Sequence, residues 1–194
     1  MSTTDLLIVR HPETDANVEG RFVGQGESPF TAEGRRQARR LPHKIARFEP
    51  SVVWTSPLLR ARVVAERAAE LAHVALRVDP RYMELNFGQA HALTWEEITL
   101  AGIPFNYRSE DEPVALGGES RNELLARVGD AVDEACDIGG RHAIVCHAGV
   151  MRAILSHTLK LHGEHLWMFA INNAQLATVR VIDGYGQLVE FVKG

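Results

Sequence analysis

Apolar and polar positions change period in blocks along the chain. Residues 6–10 (LLIVR) form a short, nearly continuous apolar run, which predicts a strand buried on both faces. A polar loop containing Asn17, Gly20, Gly24, Gly26 and Pro29 follows. Thr31 is placed to cap a helix that carries Ala38, Leu41 and Ile45 at helical spacing. Residues 51–54 (SVVW) predict a second strand. Ser56-Pro57 then predicts an N-cap with proline at the first helical position, ahead of a helix with Ala61, Val64, Ala65, Ala68 and Leu71 on one face. Residues 74–78 predict a third strand. The stretch 84–118 is irregular, with a short helix expected around 94–100. Ser120-Arg121-Asn122-Glu123 is a capping-box pattern and opens a helix with Leu124, Leu125, Val128 and Val132 inside. Residues 142–145 (HAIV) predict another buried strand, followed by a turn at Gly149 and a helix from Val150 to about Leu161. Residues 177–182 and 187–192 flank Asp183-Gly184, the signature of a hairpin.

Strand–helix alternation predicts an α/β fold: a mostly parallel central sheet with helices on both faces and an antiparallel edge. The chain 1–194 reads as a single domain, with 84–118 as a cap-like insertion. In such folds ligands bind outside the carboxyl ends of the strands, so the loops after Val9, Trp54 and Val145 are the places to look.

Composition narrows the function. The 194 residues are 45% hydrophobic and 24% charged, as in a globular protein. A net charge of −4 argues against a broad basic face, so no nucleic-acid partner is expected. The basic residues are 18 Arg and 3 Lys. A genome-wide compositional bias accounts for most of that skew, yet Arg is also the better bidentate partner for phosphate. Cys136 and Cys146 make neither a disulfide framework nor a CxxC pair, which fits a reducing compartment. No run approaches the roughly 18 apolar residues of a membrane span, and the apolar run after Asp5 is too short for a signal peptide. A cytoplasmic protein without a membrane partner is expected.

The chemistry gathers at the predicted strand ends. Arg10-His11 follows the first strand, Thr55-Ser-Pro-Leu-Leu-Arg60 the second, and Cys146-His147-Ala148-Gly149 the 142–145 strand. Two guanidiniums and two imidazoles facing one crevice make an anion site, because guanidinium forks match phosphate oxygens and a neutral imidazole can act as nucleophile. Cys146 and Arg152 also satisfy Cys-x5-Arg, the loop of thiolate phosphatases, but that alternative leaves Arg10, His11 and Arg60 without a role. The glycines at 24 and 26 lack the lysine of a P-loop, and Glu27 beside them would repel phosphate. His91, His142, His157, His162 and His165 offer no HExxH spacing, and no metal site is expected. Trp95, Phe105 and Tyr107 read as local core, with lining of the substrate mouth as the alternative.

These residues carry a resemblance. Leu7-Ile-Val-Arg-His-Pro-Glu-Thr14 resembles the "RHG" signature of the histidine phosphatase superfamily, the phosphoglycerate-mutase-like fold. Arg21-Phe-Val-Gly24, Ser28-Pro-Phe-Thr-Ala-Glu-Gly34, Trp54-Thr-Ser-Pro-Leu-Leu-Arg-Ala61, Glu84-Leu-Asn-Phe-Gly88, Gly117-Gly-Glu-Ser120 and Val145-Cys-His-Ala-Gly149 are similar to further family blocks, in family order. The resemblance implies that His11 is a nucleophile forming a phosphohistidine. It implies that Arg10, Arg60 and His147 hold the phosphoryl oxygens, that Asn17 and Arg21 line the pocket, and that Glu84 is the general acid. No cofactor is implied. The substrate implied is a small phosphorylated metabolite, and the resemblance leaves a homodimer open. Three positions depart from the family pattern. Pro12 replaces a Gly, Ala90-His91-Ala92 stands where relatives carry Trp-Glu-Gly, and Ala148 replaces a Gly. A cap of only about 35 residues favours hydrolysis over phosphoglycerate-mutase-type transfer. Residues 21–24, 84–88 and Leu166-Trp167-Met168-Phe169 also resemble the alpha-ribazole-phosphate phosphatases. A degenerate member that only binds phosphorylated ligands is the alternative outside enzymology.

Overall fold

The computed structural model describes residues 3–107 and 109–194, apart from the side chains at 163, 164 and 166. Leu166 of the 166–169 block therefore lies outside the described side chains. Six strands form one sheet: β1 (Thr3–Arg10), β2 (Val52–Thr55), β3 (Ala75–Val78), β4 (Gly140–Cys146), β5 (Gln175–Ile182) and β6 (Tyr185–Lys193). Their order is β3-β2-β4-β1-β5-β6. β4 pairs parallel with β1 and β2, and β2 pairs parallel with β3. β5 runs antiparallel to β1, and β6 antiparallel to β5. The β5–β6 connection is the expected hairpin, with Asp183 and Gly184 both at positive φ (48° and 83°), as a tight two-residue turn requires.

Strand alternation feeds two cores. Leu7 and Val9 of β1 face one way, with Val53, Ala143 and Val145, onto α2 (Ala32–Arg47) and α3 (Leu59–Ala72), both numbered after the four-residue α1 (Asp15–Val18). Leu6 and Ile8 face the other way with Trp54 and Ile144. There they meet the short α4 (Trp95–Leu100), α5 (Arg121–Ile138) and α6 (Ala148–Leu159). Helix starts follow the sequence where a side chain is free to cap. Thr31 accepts from the Gly34 amide at 2.9 Å, and Ser120 and Glu123 complete a capping box, each cap adding about 1 kcal/mol.

Two helix starts differ from expectation. α3 begins at Leu59 with Leu58 as its N-cap; the Ser56 hydroxyl accepts the Leu58 amide, just ahead of the helix, and also contacts His147. α6 begins at Ala148 with His147 as its N-cap, so Gly149 lies inside the first turn rather than in a preceding turn. A side chain at position 149 would collide with the Glu84 carboxylate, which packs directly against this backbone.

Ala92 sits at φ 62°, a region that costs an L-residue roughly 1 kcal/mol. It occupies the place where the family pattern has glycine. Ala92→Gly is therefore expected to stabilise the fold by up to roughly 1 kcal/mol, read as a rise in the denaturation midpoint. A drop in stability would show that the turn is held there by something other than backbone strain.

Candidate active site

The carboxyl ends of β1, β2 and β4 meet at one point of the sheet. His11 follows β1 directly. Its amide donates to Cys146 O at 2.9 Å, so the first residue beyond β1 is still tied to β4. The side chain is buried, and its Nδ1 donates to the Pro12 carbonyl at 2.6 Å. That bond leaves Nε2 unprotonated in the neutral ring, with no hydrogen-bond partner among the described residues. Pro12, which lacks an N–H, thus contributes through its carbonyl by setting the His11 tautomer.

His147 packs beside it, with ring centroids 5.2 Å apart. Its Nε2 lies 2.8 Å from the Ser56 hydroxyl, which accepts the Leu58 amide at 3.2 Å. Donation of the Ser56 proton to Nε2 puts the His147 proton on Nδ1, a buried atom without a partner among the described residues. Ser56 was read from sequence only as a helix cap. The preceding β2 strand end places its oxygen against the β4 end.

The arginines are anchored from behind. Arg60 is 4% exposed and donates to the carbonyls of Gly26 (2.5 Å) and Gly24 (2.6 Å). Arg60 also lies 3.9 Å from the Glu27 carboxylate, while its helix neighbours Arg62 and Arg67 pair with Glu66 and Glu70. Arg10 donates to Ile171 O at 2.8 Å, and its Nε is buried without a partner among the described residues. Glu84 is held through both ends. Its carboxylate accepts the Gly149 amide at 3.1 Å and the Leu85 amide at 3.0 Å, while its carbonyl accepts from Arg127 and Gln25. Arg127 also grips the carbonyls of Arg81 and Met83, and pairs with Glu119. Sequence reading missed Arg127, because a partly exposed arginine on an amphipathic helix carries no distinguishing pattern.

Arg10, His11, Asn17, Arg21, Arg60 and Glu84 line a single cavity of about 150 Å³, together with Thr14 and Tyr107. Two of these contribute less than a free ligand group would. Asn17 Oδ1 is occupied by Thr14 and by Asn173 Nδ2 (2.8 Å), a partner that sequence spacing could not reveal. Arg21 pairs with Glu19 at 2.6 Å and Glu97 at 2.7 Å, and donates to Ala92 O. Its charge is compensated, and it ties the loop after α1 to α4.

Burial, then Arg60 and Arg10, hold the His11 imidazolium well below its ordinary pKa. Burial and Arg60, followed by His11 and Arg10, do the same for His147, and burial lowers His142. Each ring is thus neutral in the folded chain at pH 7 and free to protonate in the unfolded one. Because the folded values are depressed, stability is present above about pH 6.5 and is lost as pH falls from there towards the folded values. The slope is at most about 1.4 kcal/mol per pH unit for each ring. Thermal unfolding between pH 7.5 and 5.5 should show a falling Tm; a flat profile would mean that these rings titrate normally in the fold.

Cys146 is fully buried in the core facing α5 and α6, and burial, followed by Glu84, pushes its thiol pKa far up. That environment suits an inert thiol, and the Cys-x5-Arg reading fails on it. Trp95 corrects another expectation: it is 60% exposed rather than core. Phe105 and Tyr107 pack on Phe22 and Phe87 and at the same time line open space.

The model of the histidine phosphatase superfamily (branch 1) matches residues 6–193. The chain belongs to that superfamily. Phosphoserine phosphatase 1 of Hydrogenobacter thermophilus is 27% identical over 91% of this chain and 86% of its own length. A probable phosphoglycerate mutase of Serratia proteamaculans is 29% identical over 90% and 83%. The solved structure of a mycobacterial glucosyl-3-phosphoglycerate phosphatase with VO3 superposes at TM-score 0.85, with 26% identity, over 98% of this chain and 99% of that one. An alpha-ribazole phosphatase from Shigella flexneri superposes at 0.86 with 21% identity, over 98% and 96%, a likeness of fold. No helix among the described residues is long and apolar enough to cross a membrane.

Proposed function

We propose that this superfamily member is a metal-independent phosphomonoester hydrolase that works through a phosphohistidine on His11. The observation that carries the reading is the His11 ring: buried, neutral, and bonded through Nδ1 so that its Nε2 lone pair faces a pocket with two anchored guanidiniums. Arg10 and Arg60 bind the phosphoryl oxygens, and His147 donates to one of them from Nδ1. These groups supply charge stabilisation where phosphoryl transfer needs it. Nε2 of His11 attacks phosphorus, the bond to the ester oxygen breaks, and Glu84 gives that oxygen a proton. Water then loses a proton to Glu84 and attacks phosphorus, the N–P bond breaks, and phosphate leaves with His11 neutral again. Asn17 and Asn173 brace the loop after His11, and Arg21 braces the pocket edge.

Phosphoryl transfer between hydroxyls of one substrate, the mutase reaction, requires that water be kept from the phosphohistidine. Here the pocket shares Phe22 and Tyr107 with a far larger open cleft, which favours hydrolysis. In an assay with para-nitrophenyl phosphate, turnover should survive EDTA and be blocked by vanadate. Turnover that collapses in EDTA and returns only with added Mg²⁺ would contradict the metal-independent reading.

A further inference from the structure

Next to the phosphoryl pocket lies a cleft of about 1010 Å³ that the proposed chemistry does not use. Phe22 and Tyr107 belong to both, so the cleft lies where a leaving group must extend. Five aromatic rings line it: Phe22, Trp95, Phe105, Tyr107 and Trp167. They form a continuous wall, with centroids 4.9 Å apart for Phe22–Phe105, 5.7 Å for Trp95–Phe105 and 4.6 Å for Tyr107–Trp167. Burial raises the Tyr107 phenol to about 12, so that ring is an uncharged wall at neutral pH. The exposed Trp95 edge is the kind of surface a planar ligand covers.

Among the described residues two cations line the cleft, and they differ. Arg121 is paired with Glu110. Arg152 has no carboxylate partner among the described residues; its guanidinium lies 5.3 Å from the Trp167 centroid and its buried Nε makes no hydrogen bond. It projects from α6, five residues beyond His147, and its charge is felt at Arg10 and Tyr107. A guanidinium that pairs with no carboxylate among the described residues, set in an aromatic cleft, is a receptor for an anion carried by an otherwise apolar group.

We infer that the substrate of this site is the phosphate ester of a ring-bearing alcohol whose ring also carries a carboxylate. The ring stacks among Trp95, Phe105 and Trp167, and the carboxylate pairs with Arg152. This rests on the phosphatase reading above and adds the leaving group to it. A three-carbon leaving group such as that of phosphoserine would leave most of the cleft empty and the rings uncovered.

The test compares three esters of primary alcohols: phosphoserine, 2-phenylethyl phosphate, and the same phenylethyl ester with a para-carboxylate. The expected kcat/KM rises by about tenfold or more from the first to the second, and by about tenfold again to the third. Arg152→Met should remove the second step, mainly through KM, with Arg152→Lys restoring part of it. Trp95→Ala should reduce the first step. Phosphoserine turned over as well as the ring esters, or a carboxylate preference that survives Arg152→Met, would overturn the inference and leave the phosphatase reading standing. If the enzyme hydrolyses none of the three nor para-nitrophenyl phosphate, the phosphatase reading falls and this inference with it.

Discussion

His11→Ala should lower kcat by about four orders of magnitude or more on every phosphomonoester, because removing a nucleophile removes the two-step route itself. Arg10, Arg60 and His147 do not depend on the His11 ring for their own anchors, which are Ile171 O, the Gly24 and Gly26 carbonyls, and Ser56. The variant should therefore still bind vanadate. Cys146→Ser is the matched control: its thiol is fully buried in the core and is not part of the cavity lining, and most activity should remain. The reverse pattern, with activity lost in Cys146→Ser and kept in His11→Ala, would transfer the chemistry to the thiol.

Glu84→Gln should give the second largest effect, and one that depends on the leaving group. Gln keeps one oxygen to accept the Gly149 and Leu85 amides and loses the second bond that the carboxylate accepts from Gly149. What is lost is the proton. Alkyl esters, whose alkoxide leaves poorly, should slow by about 10²- to 10⁴-fold. Para-nitrophenyl phosphate leaves as a stable phenolate and needs little protonation, so its phosphorylation step should slow far less. Equal losses on both esters would assign Glu84 to binding rather than to proton transfer.

Local pattern carried the sheet and its two cores, because strand runs and helix faces depend on neighbours in sequence. Thr31, Ser120 and Asp183-Gly184 act on residues within three positions, and each stands where the pattern placed it. The misplaced helix starts share one cause. Ser56 has the residue type of a cap, yet its oxygen serves His147, 91 positions away. Gly149 has the residue type of a turn, yet it is small because Glu84 packs on it from 65 positions away.

The candidate site divides in the same way. Arg10, His11, Arg60, Glu84 and His147 could be named because each sits in a motif at a strand end or in a recognisable block. The parallel order of β2, β4 and β1 brings their ends together; Arg10, His11, Arg60 and Glu84 line the cavity, and His147, fully buried, packs beside His11 without lining it. Arg127, Asn173 and Arg152 could not be named, since each acts through a contact that only the tertiary fold creates. Arg21 lines the cavity as the motif places it, and the fold adds what the motif could not show: Glu19 and Glu97 pair with its guanidinium.

The central claim is the covalent bond between phosphorus and His11, and rapid-quench labelling tests it most directly. The enzyme is mixed with a phosphate ester labelled on phosphorus, stopped in alkali within the first turnover, and the labelled peptide is mapped. The account predicts an alkali-stable, acid-labile label on the peptide containing His11, formed and lost at rates compatible with turnover. Turnover without any protein-bound label, or a label mapping to Cys146, would contradict it.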